Sequence, residues 1–226
     1  MVTQAISLAS AGEARAGVEN PERSLLVASL LTMSGGFLDA FSWLSLGGVF
    51  ASSHTGNVVF LGIDAVSGQW WQAAHHLLPI VAFLLGAALA TRIRAPLRCL
   101  AGEIVCLAIM MPLLHRIPDM ITIPTIAFGV ALRSASFRQV EHWQVLTVAV
   151  TGNMLRAIDQ SVLASDRGAA RGGRIMFLLC LMFLVGAAVG GYATKWMGAW
   201  SLALPIASSV CVLWLCRRHR HDPHRL

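Results

Sequence analysis

The long apolar runs of this chain constrain its fold more than any other feature. A helix that crosses a bilayer needs about 20 mostly apolar residues, and slightly fewer where the bilayer thins. Six runs approach this length, and they cover residues 25–43, 76–91, 99–114, 121–137, 175–193 and 200–216. Apolar residues make up 56% of the 226 residues and charged residues only 12%, which does not suit a water-facing globular surface. The sequence therefore predicts an all-α, multi-pass membrane protein with about six transmembrane helices.

The net charge of +6 does not indicate a nucleic-acid partner, because the basic residues cluster between the apolar runs and at the C-terminus. The first twenty residues do not resemble a cleavable signal peptide, since no apolar core follows a basic start. The five cysteines show no CxxC spacing. We therefore expect the lipid bilayer as a partner, with no nucleic acid, no cofactor and no metal site, and a homo-oligomer is left open.

An internal repeat organises the chain. The tripeptide Thr-Gly-Asn occurs at residues 55–57 and again at 151–153, and the segment FLLGAALA from Phe83 closely matches FLVGAAVG from Phe183. The matching segments contain small residues four positions apart, a pattern that indicates close helix packing rather than a binding site. The predicted organisation is a short N-terminal tail, two membrane repeats and a basic C-terminal tail, at residues 1–23, 24–118, 119–216 and 217–226.

The distribution of arginines predicts how the two repeats are related. Arginines follow the second run, precede the fifth run and fill the C-terminal tail, whereas residues 64–78 contain no Lys or Arg. Basic loops stay in the cytoplasm. All of these basic loops can lie in the cytoplasm only if each Thr-Gly-Asn segment enters the membrane and leaves it on the same side. This predicts cytoplasmic termini and a 3+3 inverted repeat with two re-entrant or broken segments.

Inverted repeats with broken helices are the recurring plan of secondary transporters, which bind solute near the bilayer midplane. Non-helical backbone at that depth leaves amide and carbonyl groups to be satisfied, and a helix N-terminus offers free N–H groups to an anion. Asparagine adds both a donor and an acceptor, and glycine allows close approach. The predicted substrate-binding residues are Thr55, Gly56, Asn57, Thr151, Gly152, Asn153 and Arg133. The alternative interpretation is that both turns only cap short helices.

Three ionisable residues are candidates for ion coupling or solute binding. Asp39 lies inside the first apolar run, where a carboxylate is costly enough to indicate a partner or a function. It is a candidate proton carrier, and Arg133 is its most natural partner if it only forms an ion pair. Arg133 would otherwise present a fixed positive charge to a carboxylate or phosphate. His54 precedes the first turn and is a second coupling candidate, because histidine titrates near neutral pH.

The string GGFLDAFSWLSLGGVFASSHTGNVVFLG resembles the opening signature of the bacterial YoaK-like family of integral membrane proteins, a domain of unknown function. The later strings FGVALRSASFRQV and TGNMLRAID are similar to that family's second-half segment. The resemblance places the family's recurrent residues at Gly36, Asp39, Ala40, Gly47, Gly48, Phe50, Thr55, Gly56, Asn57, Gly129, Arg138, Thr151 and Gly152. The segment 132–134 reads Leu-Arg-Ser where relatives often have Gln-Asn, which separates this chain from them at that point. The resemblance implies an inner-membrane location and a transporter-like plan, and no particular substrate.

The leading functional hypothesis is a secondary transporter or exporter of a small, anionic organic solute. An intramembrane enzyme is the first alternative, with Ser34 as nucleophile and His54 or His142 as base, although no nucleophile or metalloprotease motif surrounds them. We therefore predict no catalytic residues. The second alternative is a non-transporting membrane scaffold.

Overall fold

The computed structural model describes residues 21–162 and 167–221. The predicted N-terminal tail lies almost entirely outside these residues, as does half of the predicted C-terminal tail. Within the described residues the chain forms eight α-helices: α1 (Leu25–Ser45), α2 (His54–Val66), α3 (Trp70–Ile93), α4 (Pro96–Leu113), α5 (Asp119–Ser136), α6 (Val150–Val162), α7 (Arg167–Met197) and α8 (Ala203–His221). Each of the six predicted apolar runs lies largely within one of the six long helices, and the Thr-Gly-Asn segments begin the short helices α2 and α6.

Local sequence signals account for the helix boundaries. The Ser24 hydroxyl caps α1 by accepting a hydrogen bond from the Leu26 N–H at 3.2 Å. Pro96 occupies the first turn of α4, where its missing N–H costs nothing. Gly68, with φ of 72°, allows the left-handed turn between α2 and α3. A 3-10 helix (Gly198–Leu202) separates α7 from α8, and a small antiparallel hairpin of β1 (Gln139–Val140) and β2 (Trp143–Gln144) follows α5.

Four stretches of the described chain are long and apolar enough to cross a membrane. They are Leu25–Ser45, Trp70–Ile93, Pro96–Leu113 and Ala170–His219. The last stretch contains most of α7, the 3-10 turn and most of α8. Helix α5 does not belong to this set, yet it is one of the most deeply buried helices. The chain is therefore a predominantly helical membrane protein.

Helices α1 and α5 form the centre of the bundle and run antiparallel. Near the start of α1, Arg133 donates a hydrogen bond to the Leu31 carbonyl, and Phe137 packs in one buried cluster with Val27. Near the end of α1, Phe41 packs in another buried cluster with Ile123. Both central helices are much more buried than the helices around them.

Each central helix packs against a helix from the other half of the chain. Gly186 and Gly190 of α7 approach the backbone of Met33 and Phe37 in α1, so α7 runs parallel to α1. A Cβ on Gly86 of α3 would lie 2.6 Å from the Phe128 carbonyl oxygen of α5. The predicted role of the small-residue pattern in helix packing is confirmed in both copies.

These helix directions give the bundle two chemically different ends. The end where α1 begins is called the basic end, and it carries Arg23, Arg92, Arg94, Arg98, Arg138, Arg171, Arg174, Arg217 and Arg218. The end where α1 finishes is called the tryptophan end, and it carries Trp70, Trp71, Trp196 and Trp200, each about 70% exposed. Arg116 and Lys195 also lie at the tryptophan end. The outer surface between the ends is apolar, with exposed leucines such as Leu84 and Leu184 on α3 and α7.

The segment that contains the first Thr-Gly-Asn tripeptide turns back into the bundle. Gly47 and Gly48 adopt φ of 76° and 78°, which reverses the chain after α1. The following linker reaches Asp39, almost two turns before the end of α1. Helix α2 then returns along α3 until Asp64 lies 3.6 Å from His76. The segment therefore enters and leaves at the tryptophan end.

The segment that contains the second tripeptide makes the corresponding excursion from the basic end. The Thr147 carbonyl oxygen lies 3.3 Å from where a Cβ on Gly35 of α1 would be. The Cys180 thiol of α7 contacts the Val150 carbonyl at 3.6 Å, where α6 begins. Helix α6 then runs antiparallel to α7, and its last turn packs on Gly173 near the basic end.

Candidate functional site

The asparagine of each Thr-Gly-Asn tripeptide holds the linker that precedes its helix. The Asn57 side chain accepts a hydrogen bond from the Phe50 N–H at 3.0 Å and donates one to the Phe50 carbonyl at 2.8 Å. Asn153 makes the same two bonds to Leu146, at 3.3 and 2.8 Å. Both amides are buried, so each replaces water at backbone groups that would otherwise be unpaired. We call this pair of hydrogen bonds the asparagine clamp.

The other residues of the two tripeptides lie around the clamps. Thr55 and Thr151 are exposed. Gly56 makes room for an aromatic ring, since a Cβ there would lie 2.7 Å from the Phe50 ring. The sequence predicts that these residues bind a solute. The contacts within the described chain show that the asparagine amides also hold the linkers in place.

We expect Asn57→Ala and Asn153→Ala each to lower the free energy of unfolding by about 1–3 kcal/mol. Each change removes both hydrogen bonds from a partly buried backbone N–H and carbonyl. Thermal unfolding of the purified protein measures the loss, and Thr55→Ala and Thr151→Ala serve as controls because these neighbouring threonines are exposed. Equal stability of an asparagine variant and its threonine control would contradict the clamp.

Asp39 fastens the first linker to the middle of α1. Its carboxylate accepts hydrogen bonds from the Ser52 N–H at 2.6 Å, from the Ser52 hydroxyl at 2.9 Å, and from the Ser53 hydroxyl. In the second half of the chain, the residues that correspond to Ser52 and Ser53 in the repeat are Val148 and Ala149, which carry no hydroxyl. The Asp39 network therefore belongs to one half only.

His54 lies at the first turn of α2, between the clamp and α3. Its ring packs edge-on against Phe83, with centroids 4.4 Å apart, and its Nδ1 lies 3.3 Å from the Asn57 Nδ2. An amide nitrogen only donates, so Nδ1 is the acceptor and the ring carries its proton on Nε2. Nε2 has no hydrogen-bond partner among the described residues.

Arg133 forms a buried ion pair with Glu103 rather than with Asp39. The Arg133 Nε and the Glu103 Oε1 are 2.9 Å apart, and neither side chain is exposed. The Ser209 hydroxyl of α8 donates to the Glu103 Oε2 at 3.2 Å, and the Arg133 Nη1 donates to the Leu31 carbonyl of α1. The charge pair therefore joins α1, α4, α5 and α8, and the expectation that Asp39 pairs with Arg133 is wrong because two serines already satisfy Asp39.

Glu103 is the functional candidate that the sequence prediction missed. Its signal is the same one that identified Asp39, a carboxylate inside an apolar run. Only the tertiary contacts show that this carboxylate is the partner of Arg133. Ser209 carries no comparable signal in the sequence.

Several buried polar groups on the two central helices have no partner among the described residues. They are the Arg133 Nη2 and the hydroxyls of Thr32, Ser34, Thr122 and Ser134. Unpaired buried polar groups are rare in folded proteins, and each calls for an explanation. The concentration of such groups on α1 and α5 makes the centre formed by these two helices, which includes Arg133, the strongest candidate site.

The residues of the enzyme alternative form no catalytic hydrogen bond with one another in the described chain. The Ser34 hydroxyl is buried in α1 without a hydrogen-bond partner in the described chain. His142 lies at the turn of the hairpin, where it is exposed and packs against Trp143. No hydrogen bond between the described residues joins Ser34 to a histidine.

Comparison with known proteins identifies a transmembrane relative. A 63-residue stretch is 35% identical to the UPF0700 transmembrane protein YoaK of Bacillus subtilis (strain 168). The match covers 28% of this chain and 28% of that relative's length. No solved structure matches the chain significantly.

The model of a protein family of unknown function, DUF1275, matches residues 27–215. This range begins in α1 and ends in α8, so it includes both asparagine clamps, the Asp39 network and the Glu103–Arg133 pair. The chain therefore belongs to the DUF1275 family of membrane proteins.

Proposed function

We propose that this chain is a secondary transporter of a small organic anion, with Arg133 as the positive charge that receives the solute. The observation that carries the proposal is the fully buried Glu103–Arg133 pair at the meeting point of helices from both halves. Ionisable residues within a membrane are costly, and they commonly mark solute or ion pathways. A buried ion pair contributes little net stability compared with apolar packing, so stability alone does not explain its presence.

The arrangement of the two halves supports an inverted repeat. The first helices of the halves, α1 and α5, run antiparallel, and each packs against the third helix of the other half. The two broken segments enter from opposite ends and place the asparagine clamps inside the bundle. This is the architecture in which rocking of one half against the other exposes a central site alternately to the two sides.

The distribution of charge supports the orientation in the cytoplasmic membrane. The basic end carries the nine arginines named where that end was defined, whereas the tryptophan end carries only two Lys or Arg residues among those described, Arg116 and Lys195. Basic residues remain on the cytoplasmic side, and tryptophans prefer the interface. Both described termini, at Pro21 and His221, lie at the basic end. We therefore assign the basic end and both termini to the cytoplasm.

Glu103 is the counter-ion of Arg133 when no solute is bound, and in this proposal it also couples transport to protons. A proton that reaches Glu103 from one side neutralises the carboxylate and weakens its hold on Arg133. Arg133 is then free to pair with the carboxylate, sulfonate or phosphate group of a solute. Release of that proton on the other side restores the ion pair and expels the anion. We assign coupling to Glu103 rather than to Asp39, because three hydrogen bonds already tie Asp39 to the linker.

A polar cavity gives the proposed site an approach from the basic end. The cavity has a volume of about 370 Å³ and is lined by the last turn of α5, by Arg23 and Arg138, and by both strands of the hairpin. It begins less than one helical turn beyond Arg133 along α5. Glu22 lies at the same wall, so the two arginines leave a net positive charge that would concentrate anions near the entrance.

Proteoliposomes test the proposed function directly. The full-length protein is reconstituted into liposomes, and a pH gradient is set up across their membrane. A mixture of dicarboxylates, sulfonates and phosphate monoesters is added outside, and mass spectrometry measures which of them are taken up. We expect uptake of at least one class, and its loss in Arg133→Gln because the amide offers no charge. Arg92→Gln, an exposed change at the basic end, is the matched control.

Glu103→Gln separates binding from coupling in the same assay. The amide resembles the protonated acid, so we expect exchange of the anion across the membrane to persist while uptake driven by the pH gradient disappears. Uptake that is unchanged in folded Arg133→Gln protein would remove Arg133 from the mechanism. Absence of uptake for every anion would reject the proposed function.

A further inference from the structure

Two apolar grooves flank α7 at the basic end. The first lies between α6 and α7, has a volume of about 580 Å³ and is lined by apolar side chains including Met154, Ile158, Phe177 and Leu181. The second lies between the start of α1 and the other face of α7, also measures about 580 Å³ and is lined by Leu25 and Ile175. Arg174 and Leu178 belong to both grooves. The two grooves therefore meet at one arginine.

The first groove runs from a charged residue, Arg174, to apolar residues deeper in the membrane. Arg174 lies at its mouth and Leu181 lies seven residues farther along α7, about 10 Å deeper at the helical rise. Phe177 and Ile158 are 67% and 59% exposed along its walls. Exposed apolar side chains on a membrane protein face acyl chains rather than water.

The mouth of the grooves is basic. Arg174 is exposed, and within the described residues its one hydrogen bond runs from Nε to the Ala170 carbonyl of its own helix, at 3.3 Å. Arg171 also lines the second groove and is paired with Glu141, with Nε and Oε2 3.1 Å apart. Arg174 thus supplies a positive charge within reach of the headgroup region, where anionic lipids of the cytoplasmic leaflet collect.

We propose that Arg174 and the two grooves form a binding site for an anionic diacyl phospholipid. The phosphate lies on the Arg174 guanidinium, and one acyl chain occupies each groove. The positive mouth fits a negative headgroup, and two apolar grooves that share one mouth fit two chains on one headgroup. A bound lipid would pack across α6 and α7 and hold the re-entrant segment against the bundle, independently of any transported solute.

The test uses the full-length protein purified in a neutral detergent. Dioleoylphosphatidylglycerol, dioleoylphosphatidylcholine and inorganic phosphate are titrated separately while thermal unfolding is recorded. We expect the Tm to rise with phosphatidylglycerol, to rise much less with phosphatidylcholine and to stay constant with phosphate. Native mass spectrometry should show one retained phosphatidylglycerol per chain.

Two variants and one control locate the site. Arg174→Gln should weaken the apparent affinity for phosphatidylglycerol about fivefold, the effect of one basic residue at an anionic surface. Ile158→Trp fills the first groove and should reduce the retained lipid without lowering the Tm of the lipid-free protein. Arg92→Gln, an exposed arginine at the basic end outside both grooves, should behave like the unchanged protein.

Three results would overturn the proposal. They are equal stabilisation by the two lipids, stabilisation by phosphate alone, and equal affinity of the Arg174→Gln and unchanged proteins. A dimer mass with no retained lipid would instead assign the grooves to a second copy of the chain, and it would equally reject the lipid site.

Discussion

Glu103→Leu is expected to lower the free energy of unfolding by about 3–5 kcal/mol, because it leaves Arg133 charged and fully buried with no counter-ion. Arg133→Met should cost a similar amount by leaving Glu103 unpaired. The double variant Glu103→Leu/Arg133→Met should recover most of the loss, since apolar side chains of similar volume commonly replace buried ion pairs at little cost. Unfolding of the purified protein in mixed micelles measures all three variants.

The same double variant separates stability from function. If the Glu103–Arg133 pair serves transport, the double variant should fold but move no anion. If the pair is purely structural, the folded double variant should transport as well as the unchanged protein. Additive losses in the double variant would contradict direct coupling between the two side chains. Ser209→Ala is a milder comparison, because it removes only one hydrogen bond to Glu103.

Gly186→Ala should lower the free energy of unfolding by about 3 kcal/mol, the upper part of the range for overpacked cores. A methyl group at this position of α7 would overlap the Met33 carbonyl of α1, and a backbone atom cannot move aside as a flexible side chain can. The two helices would have to separate along their entire interface. Thermal unfolding, together with the yield of folded protein from membranes, reports the effect.

Gly191→Ala is the matched control for this prediction. It adds the same methyl group to the same helix, where the nearest atom would be a Leu44 side-chain carbon at 3.8 Å. Helix propensity favours alanine over glycine, so this variant should be neutral or slightly stabilised. If both alanine variants unfold alike, the close contact between α1 and α7 does not determine stability.

That the chain is a helical membrane protein could be predicted from the sequence, because lipid leaves few solutions. A backbone that crosses hydrocarbon must satisfy its own hydrogen bonds, so apolar runs of sufficient length become helices. The two Thr-Gly-Asn segments were recognisable because they repeat and interrupt the apolar pattern. They begin the short helices α2 and α6, and their role as re-entrant or broken segments of the membrane stays a prediction.

The partners of the polar residues could not be predicted in this way. Asp39 and Arg133 lie near equivalent places in the two halves, and opposite charges made them natural partners. In the folded chain Asp39 bonds to Ser52 and Ser53 instead, while Glu103 reaches Arg133 from α4. Such pairs depend on hydrogen-bond geometry and on which faces of the helices pack against each other. Neither can be derived from the spacing of residues along the chain.

The sequence by itself determined the solvent and the helical class, whereas the division into two inverted repeats stays a prediction. These follow from summed properties, namely the length of apolar runs, the positions of arginines and the recurrence of a tripeptide. Only the tertiary structure decided that the asparagines clamp the linkers, that Glu103 opposes Arg133, and that two grooves meet at Arg174. Each of these depends on contacts between residues distant in sequence, whose distances and directions are set by how the helices pack against one another.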